Sequence, residues 1–436
     1  MTSYHIENFG CRTSQADGAA IARQFAVRGL ESRSAETAEL VVLNTCTVTA
    51  DADRAARAAV RRIHAQNPLA KIIVTGCYAQ RAPEELAALP GVTNIVGNSH
   101  KHALADLVTH PTFIPIHTLL REPQIHLSDI FAHTQLLSAP IAADDSRTRP
   151  TLKVQDGCNN RCSFCVIPSV RGQSRSLPLT QVLTDIATLV SSGANEVVLS
   201  GINLGRWGRD LTPTLTFETL IEAILKETAL PKLRLSSVEP MDWTNHLIHL
   251  VSSSPRIAKH AHVPMQSGSD AILRRMHRKY RPWHYRDRIA TIRAAMPDAA
   301  IGADVMTGFP GETEADFAET LRLVDDLPLT YLHIFPYSAR PGTPAAAHPN
   351  QVPTHTARQR QRELQTLIAV KKHSFASTFI GRTLSAITLT SANNDSTSAL
   401  TDNFLELQIE GHHPPNRWLP VRIESSSHGT LSGRLT

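Results

Sequence analysis

Several absences narrow the reading of this 436-residue chain at once. No apolar run approaches the ~20 residues that a membrane helix needs, so no membrane partner is expected. The N-terminus, MTSYHIENFGC, has no basic segment followed by an apolar one, so no signal peptide is expected either. Cysteines are few. Six in a chain of this size argue against a disulfide scaffold and for metal or redox work in a reducing compartment. A cytoplasmic location follows as the expectation. Charge of neither sign dominates: 44 Lys and Arg stand against 39 Asp and Glu, a net charge of +5. That mild excess permits an anionic partner without requiring one. Hydrophobic content of 42% and charged content of 19% are those of a soluble globular protein. The length calls for two to four domains.

What is present is a cysteine loop. Gln155 to Arg171 reads QDGCNNRCSFCVIPSVR, with Cys158, Cys162 and Cys165 at a C-x3-C-x2-C spacing after the strand-like run LKV. Thiolates bind soft metals and iron–sulfur clusters, and a 4Fe–4S cube normally takes four of them. Three in one tight loop leave one iron without a protein ligand, and an open metal position can hold a substrate. A structural zinc knuckle or a disulfide loop are the plainer alternatives. Zinc prefers four ligands at paired spacings, and the compartment disfavours a disulfide.

The other three cysteines repeat a position. Strand-like segments Tyr4–Phe9, Leu40–Thr45 and Ile72–Gly76 each end at or beside one of them: Cys11, Cys46 and Cys77. Helical stretches follow at Ser14–Arg28, Asp51–Gln66 and Pro83–Leu89. This alternation means a doubly wound parallel sheet, with the carboxyl ends of its strands along one edge. Three cysteines at three such ends converge there, although 35 and 31 residues separate them. Helix N-termini at that edge favour thiolates. The alternative is three buried structural cysteines. The helix after Cys46 carries Arg54, Arg57 and Arg61 on one face, readable as a phosphate-contact stripe or as a solvated basic face.

From Thr151 the alternation resumes with six strands (Leu152–Gln155, Glu196–Ser200, Lys232–Ser237, His260–Pro264, Ile301–Thr307, Tyr331–Tyr337). Five helices lie between them: Leu179–Ser192, Phe217–Glu227, Asn245–Ser252, Trp283–Ala295 and Glu314–Asp325. Six repeats without a seventh or eighth fit an open, partial (βα)6 barrel with its site at the carboxyl edge of the strands. The cysteine loop follows the first strand. GFPGETE reads as a helix start capped by Thr313. The most basic run, Arg274 to Arg288 (RRMHRKYRPWHYRDR), follows the fourth strand. It interleaves Arg274, Arg275, Arg278, Lys279 and Arg281 with Tyr280, Trp283 and Tyr285. Cations for phosphates and rings for unpaired bases make it the expected RNA contact, with Arg161, Arg171 and Arg175 adding to the same edge. A solvated helix face is the alternative.

The C-x3-C-x2-C loop resembles that of the radical S-adenosylmethionine (SAM) enzymes. NTCTVTADADR and VTGCYAQ resemble the N-terminal domain of the methylthiotransferases within them, most nearly the MtaB-type branch. The resemblance implies two 4Fe–4S clusters. One is held by Cys158, Cys162 and Cys165; its open iron chelates SAM and generates a 5′-deoxyadenosyl radical. The auxiliary cluster, held by Cys11, Cys46 and Cys77, carries the sulfur to be inserted. The implied reaction puts a methylthio group on C2 of N6-threonylcarbamoyladenosine at position 37 of tRNA. Isopentenyl-adenosine 37, or an aspartate of a small-subunit ribosomal protein, is the substrate of sibling branches. Outside that class stands a non-enzymatic iron–sulfur RNA-binding or electron-transfer protein. SGINLGRWG, after the second strand, matches where the family binds SAM, so Ser200, Gly201 and Asn203 are expected to contact it. Glu239 and Gln266, at later strand ends, are expected to do the same. The implied partners are tRNA, an electron donor such as flavodoxin or ferredoxin, and a sulfur source.

The expected division is an N-terminal methylthiotransferase domain over 1–109, a linker over 110–145 with room for one hairpin, a radical SAM core over 146–374 and a small all-β barrel over 375–436. The last follows a long helix, Ala357–Phe375, and resembles the RNA-binding TRAM domain. From Phe375 on, five acids face four arginines, which is not an electrostatic footprint for RNA.

Overall fold

The computed structural model describes residues 2–109, 123–133, 136, 148–390 and 395–436. They divide into two units. The first holds the described residues before 137 together with Lys153–Leu177 and Ser338–Ala346. The second holds 148–152, Pro178–Tyr337 and the described residues from Ala347 on.

The first unit is built on a six-stranded parallel sheet. Its strands are β1 (Ser3–Asn8), β2 (Glu31–Ser32), β3 (Leu40–Thr45), β4 (Lys71–Gly76), β5 (Val92–Gly97) and β6 (Gln124–His126), in spatial order β2-β1-β3-β4-β5-β6. The central strands LVVLNT and KIIVTG are buried along almost their whole length, as β-branched runs covered on both faces should be. The helices are α1 (Arg12–Val27), α2 (Ala50–Gln66), α3 (Cys77–Arg81), α4 (Pro83–Ala87) and α5 (Leu104–Thr109). One core packs Val41, Leu43, Ile72 and Val74 against α2. The other packs Val42 and Ile73 against Ile21, Phe25 and Leu104. Thr49 caps α2, its hydroxyl accepting from the Ala52 N–H at 3.2 Å, with Asp51 and Asp53 in the first turn where the helix dipole favours acids.

Where the sheet differs from expectation, the reasons are local. The helix expected over Pro83–Leu89 is preceded by α3, and Pro83 separates the two by driving Ala82 to φ −145°, ψ 68°. Most of the expected linker lies outside the described residues. Within it, β6 pairs in parallel with β5 at the sheet edge.

The cysteine loop belongs to this unit. The single strand expected over Leu152–Gln155 is two: β7 (Thr151–Lys153) and β8 (Gln155–Asp156). The second pairs antiparallel with β9 (Arg175–Ser176) and closes the loop at its base, around α6 (Ile167–Arg171). The Cys158 N–H donates to the Gly172 carbonyl at 3.1 Å.

The second unit carries the remaining core strands. β7, β10 (Val197–Ser200) and β11 (Leu233–Leu235) form one parallel sheet, and β12 (His260–His262), β13 (Ala300–Thr307) and β14 (Tyr331–Pro336) another. The Ala258 N–H donates to Leu233 O at 2.9 Å and the Val238 N–H to His262 O at 3.1 Å, which joins the two sheets in sequence order. The helices are α7 (Leu179–Ser191), α8 (Phe217–Glu227), α9 (Asn245–Ser253), α10 (Asp270–Arg275), α11 (Pro282–Ala295) and α12 (Glu314–Asp326). Thr313 caps α12 in a reciprocal box with Asp316.

A 24-residue helix, α13 (Thr354–Ser377), leads to a closed five-stranded barrel. Its strands are β15 (Thr383–Thr388), β16 (Ser396–Thr401), β17 (Glu406–Glu410), β18 (Trp418–Ser427) and β19 (Thr430–Leu435). Phe379 and Ala376, at the end of α13, fill its core. The barrel is bound to the core sheets through buried Arg234, which pairs with Glu196 at 2.7 Å and donates to the carbonyls of Thr401 and Asp402. Phe404 stacks on His260 at 4.1 Å between ring centroids.

Gly76 shows how tightly the cysteine-bearing edge is made. It sits at φ +99°, and a Cβ there would lie 2.3 Å from the Thr45 carbonyl oxygen. Gly29 has a similar φ of +76° with nothing within 4 Å. In urea denaturation Gly29→Ala is expected to cost about 1 kcal/mol, the penalty of a left-handed backbone alone. Gly76→Ala is expected to cost several times that, because the backbone must move.

Candidate functional site

The first unit brings both sets of cysteines together. All six stand outside disulfides. Cys11 caps α1 and is exposed, whereas Cys46 and Cys77, after β3 and β4, are buried. Their convergence is steric as well as topological. A Cβ on Gly10 would meet the Cys46 Sγ at 2.7 Å, so only glycine lets the first cysteine-bearing turn lie against the second. Burial, with Cys77 and Cys11 close by, pushes the Cys46 thiol up to about 11. Three thiols gathered in this way form a donor set for soft metal, whose charge would hold them as thiolates. Cys158, Cys162 and Cys165 are half-buried along their loop, and the Cys165 N–H donates to Cys162 O at 3.1 Å.

Three connections tie the two sets to each other. Cys77 packs on Val166 and Val170, which follow Cys165. The Asn98 amide donates to Cys77 Sγ at 3.5 Å and to Val170 O at 2.7 Å. Segment Ser338–Ala346 touches both loops. Its Ser338 hydroxyl accepts from the Ala50 N–H at 3.0 Å, Arg340 pairs with Asp53 and Thr47, and the Ala345 N–H donates to Ser163 O at 2.8 Å.

A further connection, the strongest, is a buried charge network. Arg171 donates to both oxygens of Asp156 at 3.0 Å, to Asp17 at 3.0 Å and to the Ser14 hydroxyl at 3.3 Å. Ser14 in turn lies 3.7 Å from Cys11 Sγ. Lys101 reaches Asp17 at 3.0 Å, and Lys153 bonds Asp17 and, at 3.1 Å, Asp156. Burial alone would raise the Asp17 carboxyl. The cations Lys101, Lys153 and Arg171 outweigh it and hold the group down at about 2.

In the second unit, Ser200 ends β10 and is buried, Gly201 follows it, and Asn203 is buried. Gln266 is buried at φ +64°, a conformation that a non-glycine residue adopts rarely. Its N–H donates to Asp304 O at 2.7 Å, while its Oε1 is buried without a partner among the described residues. A strained residue with an unspent acceptor suits a ligand that donates hydrogen bonds.

This geometry is that of known proteins. Residues 152–324 match the model of the radical SAM superfamily, and residues 3–97 that of an uncharacterized protein family, UPF0004. The threonylcarbamoyladenosine tRNA methylthiotransferase MtaB of Bacillus subtilis (strain 168) is 35% identical over 94% of this chain and 91% of its own length. MtaB of Aquifex aeolicus (strain VF5) is 35% identical over 96% and 99%. The chain belongs to the radical SAM methylthiotransferase family. A relative named tRNA-2-methylthio-N(6)-dimethylallyladenosine synthase, from Acidothermus cellulolyticus, is 35% identical over 84% of this chain and 73% of its own length. Among solved structures, the radical SAM methyltransferase TsrM from Kitasatospora setae shares the fold, with a TM-score of 0.58 at 14% identity over 79% of this chain and 77% of that one.

Within this family member, several expected RNA contacts are corrected. Arg171 and Arg175 are buried, not at an RNA-facing edge. Arg278 is buried against the Tyr280 ring and pairs with Glu239, so both of those charges are spent on each other. Tyr280 and Tyr285 are core residues whose hydroxyls donate to the carbonyls of Met265 and Val263 at 2.9 and 2.8 Å, so neither ring can stack on a base. Arg274, Arg275 and Lys279 are exposed, Arg281 is half-buried, and Trp283 is exposed. On α2, Arg54 pairs with Asp51 and Arg62 with Glu7 at 2.7 Å.

Sequence reading missed Asp17, Asn98, Lys101 and Arg340, which surround the cysteines. It also missed His262, Asp304 and His333, whose ligand atoms lie within 4.8 Å of one another on β12, β13 and β14. Burial would raise the Asp304 carboxyl, but the two imidazoles hold it well below the ordinary range.

The Asp17 shift has a sign that can be tested. A depressed carboxyl contributes stability in full above its unfolded value near 3.9 and loses it as pH falls through about 2. In chain prepared without iron, Asp17→Asn is expected to lower unfolding free energy at pH 7 by about 3–5 kcal/mol, as breaking a buried pair does. Its stability should then fall less than the parent's between about pH 4 and pH 2.

Proposed function

We propose that this protein adds a methylthio group to C2 of N6-threonylcarbamoyladenosine at position 37 of tRNA. The observation that carries the reading is the pair of three-cysteine sets in one unit, tied together by Asn98, Arg171 and Ser338–Ala346. One radical-generating centre alone needs only the second set. Cys158, Cys162 and Cys165 would hold the 4Fe–4S cluster that binds SAM, and Cys11, Cys46 and Cys77 the auxiliary one. When bound, these groups supply the radical and the sulfur.

The chain's own contribution is to place them. Strand ends deliver Cys11, Cys46 and Cys77 to one edge, and the β8–β9 pair holds the second loop closed. Ser200, Gly201, Asn203 and Gln266 are assigned to SAM, with the Gln266 Oε1 as acceptor for an N–H. Glu239, which pairs with Arg278, is assigned to SAM with them. A one-electron donor of the flavodoxin or ferredoxin kind and a sulfur source complete the reaction. No helix among the described residues is long and apolar enough to cross a membrane, and six thiols outside disulfides suit the cytoplasm.

The substrate assignment follows the MtaB relatives, which align over nearly the full length of both chains. Anaerobic, reduced protein is expected to convert SAM to 5′-deoxyadenosine, and Cys162→Ala is expected not to. Equal yields from the two would sink the radical chemistry. In a deletion strain with no second enzyme of this kind, mass spectrometry of tRNA nucleosides should show loss of 2-methylthio-threonylcarbamoyladenosine. Loss of the 2-methylthio-isopentenyl nucleoside instead would move the assignment to the sibling substrate.

Arg274, Arg275, Lys279, Arg281 and Trp283 are assigned to tRNA. Trp283→Ala is expected to cost about 1–3 kcal/mol of tRNA affinity, the range for one stacked base. Lys279→Ala should weaken binding and flatten its salt dependence by about one phosphate contact. Arg278→Ala should register in thermal stability instead.

A further inference from the structure

The network around Arg171 contains more positive than negative charge. Lys101, Lys153 and Arg171 stand against Asp17 and Asp156, all five buried. Arg175, also buried, lines the same pocket, so the cations there outnumber the carboxylates. The Nε–H of Arg171 is likewise buried with no partner among the described residues. Burying an uncompensated charge is costly unless an anion lies close by. The neighbours that can supply one are the thiolates of Cys11, Cys46 and Cys77. Ser14 bridges Arg171 to Cys11. Val170, next to Arg171, packs on Cys77. Lys101 bonds the Asn44 side chain at 3.2 Å, two residues before Cys46.

We propose that Arg171, backed by Lys101, is a positioning residue for the auxiliary centre: it supplies the buried counter-charge that raises the reduction potential of a cluster held by Cys11, Cys46 and Cys77. This rests on the assignment of a second cluster to those cysteines. The physical ground is that reduction adds one negative charge, which a fixed cation in a poorly solvated interior stabilises. The net charge fixes the sign, because removing a cation must lower the potential and removing an anion must raise it. A purely structural role predicts no such dependence on sign.

The test uses the full-length chain with Cys158, Cys162 and Cys165 replaced by Ala, reconstituted anaerobically, so that only the first centre is read. EPR-monitored redox titration gives its midpoint potential. Arg171→Gln and Lys101→Met are each expected to shift it downwards, Asp17→Asn upwards, and Arg171→Lys to return it towards the parent value. If the cluster assembles in these variants and its potential does not move, or moves the same way for Asp17→Asn as for Arg171→Gln, the proposal fails and the two-cluster reading stands. If the parent chain takes up no cluster at Cys11, Cys46 and Cys77, both fail. Should Arg171→Gln not fold, Lys101→Met and Asp17→Asn carry the comparison alone.

Discussion

Five charged groups removed from water hold the first unit's two cysteine loops in register. Asp17 comes from the helix after Cys11, Lys101 from the segment after β5, and Lys153, Asp156 and Arg171 from the frame of the second loop. A buried ion set is stable only when complete, because each member left alone would face a large desolvation cost. Its geometry is therefore specified more sharply than apolar packing would specify it. Asn98 and Val170 fit against Cys77 once that register is set. The loop cannot slide along the sheet edge without breaking the bonds that Arg171 and Lys153 make to Asp17.

The second unit gives a different use to a buried arginine. Arg234 is fully enclosed and spends its donors on Glu196 and on two carbonyls of the C-terminal barrel. Phe404 of the same barrel stacks on His260 at the amino end of β12, opposite the ends where ligands bind in such sheets. The barrel thus meets the core through neutral carbonyls and an aromatic ring. At least one face of it is a structural joint to the core.

Much of this was legible in the sequence. Leu40–Thr45 and Phe217–Glu227 match their expected bounds to the residue, because their apolar runs and flanking polar residues admit one reading. The six cysteines were legible because each sits at a strand end or in a tight motif. The charge network was not. Asp17, Lys101 and Arg171 are ordinary polar letters on helical stretches, and only tertiary structure shows them facing inward. The basic run misled for the related reason that charge density says nothing about direction. Arg278, Tyr280 and Tyr285 carry the right chemistry for RNA and point into the core. Strand β5 was missed because VTNIVG is interrupted by polar residues and follows a five-residue helix.

The two cysteine sets also differ in how they can be filled. Cys158, Cys162 and Cys165 lie within eight consecutive residues, so little chain has to be closed to bring them together. Cys11, Cys46 and Cys77 are gathered only by the folded sheet, and the turn that lets Cys11 approach Cys46 depends on Gly10 lying flat against it. For these three, the cost of closing two long loops is met by the sheet itself. The set is therefore complete only in molecules whose first domain is already native.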